Sequence, residues 1–477
     1  MKIPLTPARK WLVVATAALV AMLFITLAAS QFVAYWLGNP NRLELGSLPR
    51  LRRAARLDPG DADYRDRLGK FYDLVSRDPA SAVAQYQAAV KLNPHSAEYW
   101  LNLADAYQVM DDTANQTAAL ERSIQAEPTN PDVARTAANF YLVLATNEKD
   151  PSIAQSLTTK ALREFRVVLA NDTPSAPEAI RNCWRIEPDV DILLRDVVPP
   201  RSEAYTAFLT LLQQDASRLQ HELTFPPANP DAASPAQLQE KRAQMQRETA
   251  ATFKVWNALI ESRQPFEERY PYDYIRFLIQ MKEVDQAELV WRQTVDQFKL
   301  SSYLSSSDNL IVNGKFSLRL LNAGFDWQYQ KQTGINLTLQ PPKNPDGSRS
   351  LLITFDGPGI SDAGIFQFVP VQPNTTYEFS AHYKNEGELE GAGGPHFTVQ
   401  DVYSQAVYYE SDTLKPATDS NDDTELNDSN SRKLVQGEFT TAPDSKLVVV
   451  HVRRLPERSP IRGKLWIDGF RLIKKPS

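Results

Sequence analysis

The stretch Trp100-Leu101-Asn102-Leu103-Ala104-Asp105-Ala106-Tyr107 sets large side chains at positions 100, 103 and 107 around a small one at 104. Positions three and four apart share a helix face, and a small residue there lets a second helix approach closely. Leu68-Gly69 with Tyr72 stands upstream in the same arrangement, and Ala137-Ala138 with Tyr141 downstream. Pro59, Pro94 and Pro128 recur at intervals of 35 and 34 residues. Ala54, Ala89 and Ser123 lie five residues before them, and Leu51, Tyr86 and Leu120 eight before. Proline cannot continue a helix, so each one ends the second helix of a pair and sets the turn. A period of this length predicts stacked helical hairpins.

The residues Leu68, Gly69, Tyr72, Pro94, Trp100, Leu103, Ala104, Tyr107 and Pro128 resemble the signature of the tetratricopeptide repeat family. The match is fullest over 61–128, with a half repeat at 41–59 and a degraded one at 131–170. In that last repeat Asp150-Pro151 reads as a short insertion, and Leu103 has no equivalent leucine. Residues 41–170 are therefore assigned to the repeats and 171–305 to a divergent helical continuation, broken at Pro199-Pro200 and from Phe225 to Pro235. Helical spacing returns over Thr249–Glu261 and Tyr274–Phe298, where Ala287, Trp291 and Thr294 resemble a repeat's second helix. The resemblance implies an all-α solenoid whose concave face takes a protein partner. The bland reading is a spacer that holds the last domain off the bilayer.

Upstream, Trp11 to Leu37 is an apolar run broken only by Thr16, Thr26, Ser30 and Gln31. A membrane-crossing helix needs about 20 residues. Trp11 at one end and Tyr35 and Trp36 at the other fit an aromatic belt, and Lys2, Arg9 and Lys10 precede the run. Residues 1–40 are read as an uncleaved signal anchor. The alternative is cleavage at Ala28-Ala29-Ser30. Arg42, Arg50, Arg52, Arg53 and Arg56 follow the span, so charge alone does not orient it; the short basic leader favours the N-terminus inside.

From residue 308 the texture becomes alternating, with turn residues between short runs. Leu351–Phe355, Ile365–Val371, Thr376–Lys384, His396–Tyr403, Leu447–Arg454 and Lys464–Ile473 read as strands of a sandwich. Three ordered motifs mark this domain, 308–477. It opens with Asn309-Leu-Ile-Val-Asn313-Gly314-Lys-Phe316 and then Gly324-Phe-Asp-Trp327; it carries Phe366-Gln367 to Tyr377, and closes with Gly463-Lys-Leu-Trp466-Ile-Asp468-Gly-Phe-Arg-Leu472. These resemble jelly-roll modules of the carbohydrate-binding kind. In such modules an acidic residue after the opening motif helps bind a structural calcium. Ser317 stands there in this chain, which counts against calcium and leaves Asp468 as the single matching acid; no cofactor is expected, with a structural calcium at Asp468 as the alternative.

On the strand from Thr376, Tyr377, Phe379, Ala381 and Tyr383 share one side, and Glu378, Ser380, His382 and Lys384 the other. His382, His396 and His451 fall on three strands, with Gln400 and Arg453 close by in sequence. If those strands are neighbours, the five side chains form a polar strip. With Trp327, Tyr403 or Tyr408 nearby, such a strip suits a sugar's hydroxyls and apolar ring faces. The bland reading is a solvated sheet face. No metal-like spacing supports a three-histidine metal site. The acidic segment Asp412–Ser431 lacks the central glycine and closing glutamate of a helix–loop–helix calcium site and reads as a surface loop.

The chain has 477 residues and a net charge of −6, which argues against nucleic acid as a partner. Its single cysteine, Cys183, excludes an internal disulfide and a thiolate cluster. No phosphate-binding glycine loop, nucleophile elbow or zinc helix is present. Glu386, Glu388 and Glu390 sit near one another in what reads as a glycine-rich loop, and we expect no enzyme. Anchor, repeats and jelly roll together resemble bacterial envelope proteins of exopolysaccharide or O-antigen assembly. This implies a single-pass inner-membrane scaffold facing the periplasm or cell exterior, with a protein partner on the repeats and polysaccharide on the jelly roll. The competing class is a scaffold that binds proteins alone. Mass spectrometry of the isolated protein is expected to find an intact N-terminal segment; a mature start at Gln31 would sink the anchor.

Overall fold

The computed structural model describes residues 7–38, 47–225, 234–342, 347–357, 359–390, 393–414, 432–455 and 460–476. Most of the acidic segment 412–431 and of the break 225–235 lies outside the described residues. Among those described are fourteen α-helices followed by ten strands. The chain divides into two compact units, Met1–Leu212 with Lys254–Gln264, and Gln213–Phe253 with Pro265–Ser477.

Helix α1, Pro7–Gly38, contains the apolar segment Lys10–Gly38, 29 residues with an 18-residue window of mean hydropathy 2.6, and is long and apolar enough to cross a membrane. Three of its four polar interruptions are bonded within the helix. The hydroxyls of Thr16, Thr26 and Ser30 donate to the carbonyls of Leu12, Leu23 and Leu27, as a helix without water requires.

The following helices are α2 (Leu48–Leu57), α3 (Ala62–Lys70), α4 (Pro79–Leu92), α5 (Ala97–Val109), α6 (Thr113–Ala126), α7 (Pro131–Asn147) and α8 (Pro151–Asn171). Their starts are written locally. Asp61, Asp78, Asp112, Asn130 and Asp150 each accept a hydrogen bond from the first turn, and Pro79, Pro131 and Pro151 occupy first helical positions. Asp150-Pro151 thus opens α8, which starts 20 residues after α7 does, against 16 from α5 to α6. Helices α2, α4 and α6 end two residues before Pro59, Pro94 and Pro128. Trp100 Nε1 donates to the carbonyl of Pro94, tying the turn to the next helix. Leu103, Ala104, Tyr107 and Tyr141 are buried in one core with Tyr86 and Leu120. Tyr72 is only half-buried, because α3 runs into a wider turn, Phe71–Ser76, that ends with Arg77 at φ 51°.

Then come α9 (Ala176–Ile186), the single turn α10 (Val190–Ile192), α11 (Ser202–Thr224), α12 (Pro235–Glu261), α13 (Arg269–Gln280) and α14 (Val284–Gln297). Cys183 is buried on α9, which pushes its thiol up to about 12. The helical pattern over Tyr274–Phe298 is carried by α13 and α14, which are separated at Lys282 with φ 65°. Helices α13 and α14 belong to the second unit, where the Trp291 ring of α14 lies against Gly324 and edge-on to Phe325.

The strands are β1 (Gln328–Tyr329), β2 (Ile335–Leu339), β3 (Leu351–Gly357), β4 (Asp362–Pro370), β5 (Thr376–Glu390), β6 (Gly394–Asp401), β7 (Val407–Glu410), β8 (Lys433–Thr440), β9 (Leu447–Leu455) and β10 (Ile461–Lys474). They form two antiparallel sheets, β1-β4-β9-β6-β7 and β2-β3-β10-β5-β8. From β3 to β6, and again from β8 to β10, the chain changes sheet at every step. The inward rows, among them Tyr377, Phe379, Ala381 and Tyr383, fill one core. Glu386, Glu388 and Glu390 continue β5 as strand, not loop, and their side chains lie outside the described residues.

The opening and closing motifs are bonded to each other. Asn309 Nδ2 donates to the Phe470 carbonyl, its Oδ1 accepts from Leu472 N, and Phe470 N donates to the Gly314 carbonyl. A β-carbon at Gly314 would lie 2.2 Å from the Phe470 oxygen, so the motif needs glycine there. Gln367, fully buried on β4, bonds both the N–H and the carbonyl of Val312.

Two outcomes test this packing. A β-carbon at Gly69 would meet the Tyr86 ring at 2.4 Å, so Gly69→Ala is expected to lower stability by about 1–3 kcal/mol in denaturant titration. In the sandwich, burial pushes the Asp326 carboxyl up to about 6, and its Oδ1 has no partner. A carboxyl raised on folding favours the folded state below its unfolded pKa and loses that contribution as pH rises. Stability is therefore expected to fall by about 3 kcal/mol between pH ~4 and ~6, and Asp326→Asn to flatten that part of the profile.

Candidate functional site

The strip expected from the histidines is divided between the sheets. His396, Gln400, His451 and Arg453 stand on adjacent strands β6 and β9 of one sheet. His382 is on β5 of the other, opposite Asp468 of β10, with Gly469 against its ring. Alternation along β6 and β9 sends Phe397, Val399, Val450 and Val452 into the core, so His396, Thr398, Gln400, His451 and Arg453 face outward.

Pairing aligns this outer face in three rows. The central row crosses all five strands as Gln328, Phe366, His451, Thr398 and Glu410. One flanking row holds Asp362, Arg453 and His396; the other holds Phe368, Val449, Gln400 and Val407. The rings of Phe366 and Phe368 meet edge to face at 5.3 Å. Asp362 and Thr398 are absent from the residues expected at the site, and Phe366 and Phe368 stand in the sequence reading only as part of the domain's middle motif. The available signal was the pattern Asp362…Phe366-x-Phe368 on a strand whose alternate positions are core.

Most polar ends here are occupied. His396 Nδ1 lies 2.7 Å from the Ser411 carbonyl, and its Nε2 meets the Thr413 hydroxyl. Gln400 Nε2 donates to the carbonyl and side chain of Gln405. His451 Nδ1 lies 2.6 Å from the Asp362 carboxylate. Two atoms stand apart. Thr398 is 0% exposed, and its hydroxyl finds no partner; the buried Nε2 of His451, in the adjacent position, finds none either. A buried polar atom left unpaired costs about 1–3 kcal/mol. The Thr398 hydroxyl can both donate and accept, and the imidazole Nε2 stands at the neighbouring position of the same row.

The aromatic residues expected around the site have other positions. Trp327 is 1% exposed, packed against Phe316 and Phe470 at 5.2 and 4.8 Å, and offers no face to a ligand. Tyr403 donates its hydroxyl to the Ile279 carbonyl of α13, and Tyr408 stacks on Phe439. Asp468 does not fit a calcium site. Its carboxylate accepts from the Ser350 hydroxyl and pairs with the Arg432 guanidinium at 2.9 Å, so a cation already balances it. Among the described residues no group of three or more acidic, histidine or cysteine side chains converges there.

In the helical unit a second polar cluster joins α3 to α5. Asp66, buried on α3, accepts from Lys70 and from Asn102 of α5, and Lys70 reaches Glu98 of α5. Desolvation raises the carboxyls of Asp66 and Asp105 and pushes the Tyr99 phenol up to about 12.

No family model matches this chain, and no curated protein does. Solved structures similar to parts of it include the CBM22-1 xylan-binding domain of Paenibacillus barcinonensis Xyn10C, at 15% identity over 34% of this chain and 93% of that one, TM-score 0.22. MamA is similar at 15% identity over 44% of this chain and 90% of that one, TM-score 0.24. YrrB, a TPR protein with an unusual peptide-binding site, is similar at 12% identity over 44% and 75%, TM-score 0.23. Likeness this distant carries no functional weight, and the reading of the site rests on its residues.

Proposed function

We propose that this chain is a membrane-anchored, non-catalytic scaffold of the bacterial cell envelope that holds a glycan on the outer face of the β1-β4-β9-β6-β7 sheet. The observation that carries the reading is the partly exposed aromatic pair Phe366 and Phe368, whose rings meet at 5.3 Å on this face beside His451. Sugar hydroxyls supply both donors and acceptors, and sugar ring faces pack on aromatic rings. The tetratricopeptide-like helices hold a protein partner, with the Asp66–Lys70–Glu98–Asn102 cluster on the contact side. The site for this scaffold is an exopolysaccharide or O-antigen assembly machine, with the soluble part outside the cytoplasm.

The second reading is a scaffold with protein partners alone, favoured by the occupation of His396 and Gln400 by neighbours within the fold. Calorimetric titration of the detergent-solubilised full chain with exopolysaccharide and O-antigen fractions of the source bacterium separates the two. Saturable binding is expected, weakened about 3–10-fold by Phe366→Ala through loss of ring packing against the sugar. Thr398→Val is expected to preserve or raise stability, because it removes an unsatisfied buried hydroxyl. Unchanged affinity in Phe366→Ala would overturn the site. Absence of binding to every fraction would favour the protein-only scaffold.

A further inference from the structure

We infer that helix α2 is an anionic-lipid site whose four arginines hold the phosphodiester headgroups of negatively charged phospholipids at the foot of α1. This rests on the reading of α1 as a membrane span. Three observations carry it.

The first is charge. Helix α2 reads Leu-Pro-Arg-Leu-Arg-Arg-Ala-Ala-Arg-Leu and has no acidic residue. Leu51, Ala54 and Ala55 are buried, and with 3.6 residues per turn Arg50, Arg52, Arg53 and Arg56 fan across the opposite face, all exposed. Among the described residues none of the four has an ion-pair partner. Arg52 donates to the Tyr72 hydroxyl, and Arg56 to the carbonyl of Arg52. A solvated helix face ordinarily carries both signs; this one carries one.

The second is position. Ala34 of α1 is buried in one cluster with Leu51, Ala54 and Ala55 of α2 and with Tyr64 and Leu68 of α3. A β-carbon at Gly38 would lie 3.3 Å from that of Ala54, and Arg67 Nη1 donates to the Gly38 carbonyl at 2.7 Å. The last turn of the span is thus fastened to α2 and α3.

The third is depth. Tyr35 and Trp36, in that same turn, are 60% and 72% exposed. Amphipathic aromatic rings at the end of a span settle at headgroup level. The packing of Ala34 and Gly38 therefore puts α2 at the depth of the lipid phosphates.

The chemistry is well matched. A guanidinium offers two parallel N–H donors to a phosphate, and the arginine stem lies along apolar surface while its head reaches the charged layer. Free phosphate presents the same oxygens, so the source of the phosphate must be tested. The full chain in neutral detergent would be titrated with short-chain phosphatidylglycerol, short-chain phosphatidylcholine and inorganic phosphate, and bound molecules counted by native mass spectrometry. Phosphatidylglycerol is expected to bind about tenfold or more tightly than phosphatidylcholine at low salt. With Arg50, Arg52, Arg53 and Arg56 all changed to Gln, that preference is expected to fall to within about twofold; the four-lysine variant should keep most of it. Equal binding of the two lipids, or an undiminished preference in the glutamine variant with unchanged circular dichroism, would overturn the inference. Inorganic phosphate competing as well as phosphatidylglycerol would overturn the lipid as its source. Alkaline carbonate extraction of membranes tests the span separately: release of the chain would sink the anchor whatever the titration shows.

Discussion

Asn309 joins the two ends of the sandwich. A chain that changes sheet at almost every strand leaves its first and last segments to close the core from outside. Asn309 and Gly314 bind the backbone of β10 at Phe470 and Leu472, and Gln367 ties Val312 to β4. That closure lets Phe316, Trp327 and Phe470 pack as one aromatic group. The face of sheet that carries the histidines keeps its register because the core behind it is closed.

The helical unit depends on a different constraint, which is close approach. Gly69 admits the Tyr86 ring, and Ala104 and Ala137 are wholly buried in the same core as Tyr107 and Tyr141. Acidic and asparagine caps start the helices, and the recurring prolines end them. What passes between α3 and α5 is polar. A buried carboxylate, Asp66, is held by an ammonium and an amide, an arrangement that fixes the two helices in register while leaving Glu98 exposed at its edge.

At the candidate site the folded chain uses up most of the hydrogen-bonding capacity that its residue types advertise. His396 and Gln400 are occupied within the fold, and Asp468 is balanced by Arg432. What remains for a ligand is narrower than the residue list: the partly exposed rings of Phe366 and Phe368 on that face. A polar inventory overstates a site because it cannot subtract the bonds that neighbours make.

The sequence by itself determined the features that local chemistry controls. The apolar length of α1, the helix ends before Pro59, Pro94 and Pro128, the buried row Tyr377, Phe379, Ala381 and Tyr383, and strands β3, β4, β5, β6, β9 and β10 are all legible from spacing. The short strands β1, β2 and β7 were not, because two to five alternating residues do not separate from loop; β8 follows the acidic segment and was missed beside it. Tertiary structure alone decided which strands are neighbours. That pairing sent His382 to one sheet and His396 with His451 to the other, and it drew Trp327 into the core. It also set Thr398 beside His451 without partners. The physical reason is common to all of these. Periodicity fixes which way a side chain points along its own element, whereas which groups meet across elements depends on register between segments dozens of residues apart, and no local spacing encodes that.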